Sequence, residues 1–237
     1  LWTVGRSQPK SCDKLFRNWI KDGQLTEELA WKRFWLALKR GNRSLASYSS
    51  RYVKDKERKR TLVTALNLFK SPKKLAKLQL TNSKPGYTEL TSTTLKRLVR
   101  SDAEQAMQLW RALEPSLDLQ PRQRDQLKQR LGLSMLKSYH PRSQHWVEQL
   151  DPQSKDPKLL EWHLRYQLSN QNWSDVETLL THLSPDLQAK DRWRYWKGRT
   201  LESNGGKDEA LGIFEELSKQ RSFYGFLAAH RLGKGYS

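Results

Sequence analysis

The chemistry-bearing residues of this 237-residue chain are few: five histidines, one cysteine and one run of seven charged residues. His140 and His145 are separated by Pro141 and have no thiol close by in sequence. Structural zinc needs four convergent ligands, so this pair reads as surface or capping histidines, with no metal site and no cofactor expected. Cys12 stands alone. Neither common glycine-rich phosphate loop occurs, and there is no GxSxG elbow. The charged run Lys54, Asp55, Lys56, Glu57, Arg58, Lys59, Arg60 could bind an anionic polymer. Its interleaved acids also fit a solvated helix face of mixed charge. Trp31/Trp35 and Trp193/Trp196 could stack on sugars or bases, or simply fill a helical core.

Those residues need helices to position them. SCDKLFRNWIKDG places Leu15, Phe16, Trp19 and Ile20 on one stripe, with Ser11 as the cap and Gly23 as the stop. TEELAWKRFWLALKRG starts on a Thr26 cap and ends in basic residues before Gly41. It is apolar nearly all round, as a helix packed on most sides must be. Helices are predicted over 43–53 and 57–70, and again from Ser71 with Pro72 at its first position. A Pro-Gly turn within 83–90 precedes a short helix. Ser101 and Glu104 form a capping box for a helix that Pro115 ends. Further helices fall at about 121–131, 132–150 with a break at His140-Pro141, 156–169, 173–183 and 186–203. No segment has the alternation of a strand. The fold class is therefore all-α, an α-superhelix or solenoid of stacked helical hairpins.

The most patterned hairpin lies near the C-terminus. Gly198, Ala210 and Phe214 recur at the separations of the small and aromatic positions in a tetratricopeptide-type hairpin, and Gly205-Gly206 supplies the turn. Charge is also distributed unevenly. Of 44 basic and 25 acidic residues, the first 80 positions hold 20 and 6, a net of +14, leaving +5 for the remainder. Such a field favours anionic polymers, whether nucleic acid, anionic lipid or a carboxylate-bearing glycan. No stretch is apolar enough for a membrane span, and no signal peptide is evident. A first residue that is Leu suggests a chain cut from a longer one.

Two stretches carry a family resemblance. LWTVGRSQPKSCDKLF at the start and YGFLAAHRLG near the end resemble the soluble lytic murein transglycosylases of Gram-negative bacteria. NWIKDGQLTEELAWKRFWLALKRGNRSLASY fits the helical region of the same family. The resemblance implies a single α-superhelical domain over 1–237, divisible into a basic part, 1–82, and the remainder, 83–237. It implies a linker domain and a lysozyme-like catalytic domain that this chain lacks. That parent enzyme, a lyase, would cleave MurNAc–GlcNAc bonds of peptidoglycan to 1,6-anhydro products during cell-wall turnover, using one glutamate usually followed by serine. Glu202-Ser203 is the only such pair here; it sits at a hairpin turn and lacks the family's downstream motifs, so no catalytic residue is expected and the chain alone is expected to be inactive.

The resemblance further implies a periplasmic location, with a disulfide partner for Cys12 upstream. The implied partners are peptidoglycan glycan strands, the parent's own linker and catalytic domains, and other cell-wall enzymes, but not nucleic acid. Lys54, Lys56, Arg58, Lys59 and Arg60 become candidates for binding the glycan, and Tyr224 and Arg231 candidates for inter-domain docking. Two other readings remain: a tetratricopeptide-like protein-binding scaffold, and an RNA-binding helical repeat.

Overall fold

The computed structural model describes residues 2–78 and 84–235. Among them are fourteen α-helices, three short 3-10 segments and no strand. The chain forms two compact units, Leu1–Leu131 and Gly132–Ser237. The boundary expected at residue 82 falls outside the described residues.

The first unit runs through α1 (Asp13–Lys21), α2 (Glu27–Lys39), α3 (Arg43–Ser50), α4 (Lys56–Lys70), α5 (Tyr87–Ser101), α6 (Ala103–Leu113) and the larger part of α7 (Pro121–Lys137). Helix α2 starts as its sequence predicts, with Leu29 N–H donating to Thr26 Oγ1 at 3.3 Å. It buries Ala30, Phe34, Trp35, Ala37 and Leu38, and also Arg33. Gly41 turns the chain with φ +85°, and Asn42 caps α3, forming a tight α2–α3 hairpin. The N-terminal segment lies against α2. Trp2 is buried among Phe16, Trp19, Tyr48 and Tyr52, with ring centroids 5.4 to 6.3 Å away. A Cβ at Gly5 would stand 2.2 Å from the Leu36 carbonyl oxygen, so only glycine lets the segment approach this closely. The motif-like start from Trp2 to Gly5 thus covers the α2–α3 hairpin.

Several predicted boundaries shift for local reasons. Ser11 does not cap α1, because a 3-10 turn over Lys10–Cys12 intervenes and Cys12 takes the N-cap place. Residues Pro72–Lys77 form a 3-10 segment instead of an α-helix. Helix α5 begins directly after Gly86, absorbing half of the predicted turn. The capping box at Ser101 is not formed. Asp102 caps α6 by accepting from Gln105 N–H at 3.0 Å, and Ser101 Oγ instead donates to the Leu98 carbonyl at 3.1 Å. A carboxylate out-competes a hydroxyl at a helix start because it also meets the positive end of the helix dipole. Helix α7 runs unbroken through residues 131 and 132.

The second unit continues with α8 (Ser143–Leu150), α9 (Pro157–Ser169), α10 (Trp173–Thr181), α11 (Pro185–Gln188), α12 (Asp191–Ser203), α13 (Lys207–Leu217) and α14 (Phe223–Arg231). The helix predicted over 186–203 is therefore two pieces, parted at Ala189-Lys190. One core cluster joins Leu160, Leu164, Val176, Leu179, Leu183 and Trp193 across α9, α10 and α12. A second joins Tyr195, Ala210, Phe214, Leu217 and Ala228 across α12, α13 and α14. Each fully buried large side chain there contributes about 1.5–3 kcal/mol. Gly205, at φ +96°, makes the α12–α13 turn. A Cβ at Gly198 would stand 2.7 Å from the Phe214 ring, the small-against-aromatic packing read from the spacing. Each unit is, by itself, a stack of helical hairpins.

Candidate functional site

The charged run begins α4. Asp55 caps the helix by accepting from Arg58 N–H at 2.7 Å, and Glu27 accepts from the Lys54 and Asp55 backbone N–H groups at 3.2 Å. The run divides into two faces. Arg58 turns inward: its guanidinium pairs with Glu28 at 2.8 Å and lies 5.2 Å from the Trp31 ring centroid. Glu57 turns to Lys84, 3.0 Å away. Lys56, Lys59 and Arg60 occupy the i, i+3, i+4 stripe of the outer face, exposed together with Val63, while Lys54 is exposed just ahead of the helix. No ion pair engages these four cations among the described residues. Cations in the first turn of a helix work against its dipole, at about 0.3–1 kcal/mol each.

The tryptophan pairs resolve toward the core. Trp35 and Trp193 are buried, and Trp31 and Trp196 are half-buried beside them, so neither pair offers two free faces for stacking. His163, singled out by no spacing rule, is buried in α9 with Nε2 3.2 Å from Gln167 Nε2. Burial pushes its pKa below the ordinary 6.5, against a smaller upward pull from Glu148 and Asp175. No group of three or more His, Cys, Asp or Glu side chains is placed to hold a metal among the described residues. Cys12 is a free, half-buried thiol.

Arg33 is the least expected residue of the first unit. Its guanidinium lies 3.9 Å over the Trp2 ring and 5.7 Å from the Phe16 ring, and its Nε and Nη1 have no hydrogen-bond partner. Burial lowers its pKa, and Tyr48 opposes that shift. Tyr48 is itself pushed up to about 12, by burial and by the Tyr52 hydroxyl 3.0 Å away. The arginine is held chiefly by ring faces. The clue in the sequence was a cation placed within an apolar run.

At the C-terminal end, Ser222 caps α14 and donates to Asp191 at 2.6 Å. Gly225, Ala228 and Ala229 form its buried side. Tyr224 packs half-buried against Tyr195, with ring centroids 5.6 Å apart. Arg231 reaches back to α12, donating to Glu202 from Nε at 2.8 Å and Nη2 at 2.5 Å. Arg199 donates to the same carboxylate at 3.1 Å. Glu202 is therefore a tether between two arginines, from the end of α12 to α14. Phe223 and Phe226 are the outward residues of α14, 68% and 42% exposed.

No protein-family model matches the chain. The soluble lytic murein transglycosylase of Escherichia coli K12 is 28% identical over 239 residues, covering 100% of this chain and 37% of the relative. The solved structure of an inactive mutant of the lytic transglycosylase Slt from Pseudomonas aeruginosa superposes with a TM-score of 0.82 at 33% identity. It covers 99% of this chain and 38% of that one. Over its whole length the chain is similar to part of the soluble lytic murein transglycosylases. The 70-kDa soluble lytic transglycosylase in complex with bulgecin A gives a TM-score of 0.75 at 26% identity, with 100% of this chain and 38% of that one covered. The chain thus spans a little over a third of the length of these transglycosylases. The fold class is the α-superhelix of stacked hairpins expected from the sequence. Both stretches that carried the family resemblance serve packing here: Trp2 and Gly5 close the first hairpin, and Gly225 and Ala228 seat the last helix.

Proposed function

We propose that this chain is the superhelical, non-catalytic part of a periplasmic peptidoglycan lytic transglycosylase, which positions a lysozyme-like catalytic domain and presents a basic surface to glycan strands. The observation that carries this reading is similarity along the whole chain to just over a third of the transglycosylases. The tethering of Glu202 by Arg199 and Arg231 supports assigning the bond cleavage elsewhere, since a glycosidic acid must face its substrate. Lys54, Lys56, Lys59 and Arg60 are the side chains offered to the carboxylates of peptidoglycan stem peptides, with Arg58 bracing the helix behind them. Docking of the linker and catalytic domains is assigned to α14, which Tyr224 and Arg231 hold in place. The absence of any described helix long and apolar enough to cross a membrane is compatible with this reading.

The test uses purified sacculi. The chain alone should release no 1,6-anhydro muropeptides, as read by liquid chromatography and mass spectrometry, yet should co-sediment with sacculi at low ionic strength. Charge reversal at Lys56, Lys59 and Arg60 together should abolish most of that retention. Release of anhydro products by the chain alone, or retention unaffected by the reversal, would overturn the assignment. The Gly198, Ala210 and Phe214 packing also fits a tetratricopeptide-like scaffold for protein ligands. Such a scaffold would leave purified sacculi unbound at any salt concentration.

A further inference from the structure

A second cationic feature lies in the first unit, away from the charged run. The last turn of α2 contributes Lys39 and Arg40, one stripe of α5 contributes Thr93, Lys96, Arg97 and Arg100, and α7 contributes Arg130, around a cavity of about 150 Å³. The α5 residues follow the i, i+3, i+4, i+7 pattern, so they share a face. No acidic residue lines the cavity. Elsewhere in this unit the half-buried Arg58 and Arg124 each meet an acid, Glu28 and Glu114. None of the six cations that line the cavity is ion-paired among the described residues.

The cluster is under electrostatic load. Burial lowers the pKa of Lys96, and Lys39 and Arg130 lower it further. Burial also lowers Arg97 and Arg130, with Arg100 adding to both shifts. The carbonyl end of α2 accounts for Lys39 and Arg40, because cations are favoured there. It does not account for the four cations of α5 and α7. Arg97 is fixed rather than floppy: Nε donates to the Phe69 carbonyl at 3.0 Å, and its guanidinium lies 3.6 Å over the Phe69 ring. An independent sign comes from Thr93, only 6% exposed, whose Oγ1 is buried without a hydrogen-bond partner. A buried hydroxyl left unpaired is costly, and this one belongs to a residue that lines the cavity.

We propose that this pocket binds a phosphate-class oxyanion. A dianion answers several converging cations at once, guanidinium forks match its oxygens, and the Thr93 hydroxyl supplies a neutral donor. The cavity has room for one tetrahedral group, either a free phosphate ion or the phosphate ester of a larger molecule. This inference stands independently of the transglycosylase reading.

The test is thermal unfolding and calorimetric titration of the 237-residue chain at pH 8 and constant ionic strength. The probes are inorganic phosphate, glycerol 3-phosphate and, as control, acetate. Inorganic phosphate should raise the melting temperature well beyond acetate. The Arg100→Gln/Arg130→Gln double variant should bind it at least tenfold more weakly. Without phosphate that variant should be as stable as the parent or more so, since it loses repulsion and no ion pair. Thr93→Val, nearly isosteric, should weaken binding several-fold and guards against misfolding of the double variant. Binding of glycerol 3-phosphate as well would assign the pocket to esterified phosphate; binding of inorganic phosphate alone would assign it to the free ion. Equal responses to phosphate and acetate, or unchanged affinity in both variants, would overturn the proposal.

Discussion

Gly225 and Gly212 should respond in opposite directions to the same substitution. A Cβ at Gly225 would lie 2.0 Å from the Gln220 carbonyl oxygen and 2.9 Å from that of Leu217. Carbon–oxygen contacts normally begin near about 3.3 Å. Both obstacles are backbone atoms, so no side chain can swing away. The first turn of α14 must lift instead, straining the Ser222 cap, where Gly225 N–H donates to Ser222 Oγ at 3.1 Å, and loosening Ala228 and Tyr224 from the core. Overpacking of this kind costs about 1–3 kcal/mol, and a weakened cap about 1 kcal/mol more. The helical preference of Ala over Gly returns about 1 kcal/mol. Gly225→Ala should therefore destabilise the second unit by about 1–3 kcal/mol. At Gly212, exposed in the middle of α13, nothing lies within 4 Å of the added methyl. Only the preference remains, so Gly212→Ala should stabilise by about 0.5–1 kcal/mol. Urea unfolding followed by circular dichroism reads both. With a slope of about 2 kcal/mol per molar urea, the midpoints should move down by about 0.5–1.5 M and up by about 0.3–0.5 M. A Gly225→Ala protein as stable as the parent would refute the close seating of α14 on the 217–220 turn.

Trp2→Ala should cost about 3–5 kcal/mol by removing the ring that closes the α2–α3 hairpin and covers Arg33, as read by chemical denaturation. Glu202→Gln should cost only about 1 kcal/mol, because the ion pairs with Arg199 and Arg231 are partly exposed; it should leave sacculus binding unchanged. His163 makes stability depend on pH. Its pKa is lowered in the folded state, so below the unfolded value of 6.5 the unfolded chain takes up a proton that the folded chain refuses. Stability is therefore full above about pH 6.5 and falls as the pH drops toward the folded pKa. His163→Asn should flatten that slope in denaturation curves taken between pH 7 and pH 5.

The helices were legible wherever local signals agreed. Thr26, Gly41 and the nearly all-apolar stretch between them specify α2 almost completely, and the Gly198–Ala210–Phe214 spacing gives the α12–α13 hairpin. The errors arose where two local options compete within a residue or two. Asp102 lies beside Ser101, and either can cap; the carboxylate prevails. At 186–203 an uninterrupted polar pattern hides a break, because Ala189 and Lys190 are as acceptable in a turn as in a helix. Gly132 looks like a helix break but lies inside α7, where a Cβ would meet Leu159 at 2.7 Å. Its lack of a side chain serves the packing of one helix on another, which no local rule registers.

The candidate sites were legible by residue type but not by direction. The basic run over 54–60 is visible as charge, yet only the i, i+3, i+4 register shows that Lys56, Lys59 and Arg60 face outward while Arg58 braces against Glu28 and Trp31. At α14 the same register turns Tyr224 and Arg231 toward α12 and leaves Phe223 and Phe226 outside. The pocket of Lys39, Arg40, Lys96, Arg97, Arg100 and Arg130 left no signature, since its members lie in three helices separated by tens of residues. A sequence shows how many cations a segment holds, whereas repulsion depends on which ones the packing of α2, α5 and α7 forces together. Unpaired charge gathered by packing, without a nearby acid to relieve it, is a better pointer to an anion site than a run of lysines. The run can spread into water at little cost; the half-buried Lys96, Arg97 and Arg130 of the cluster cannot.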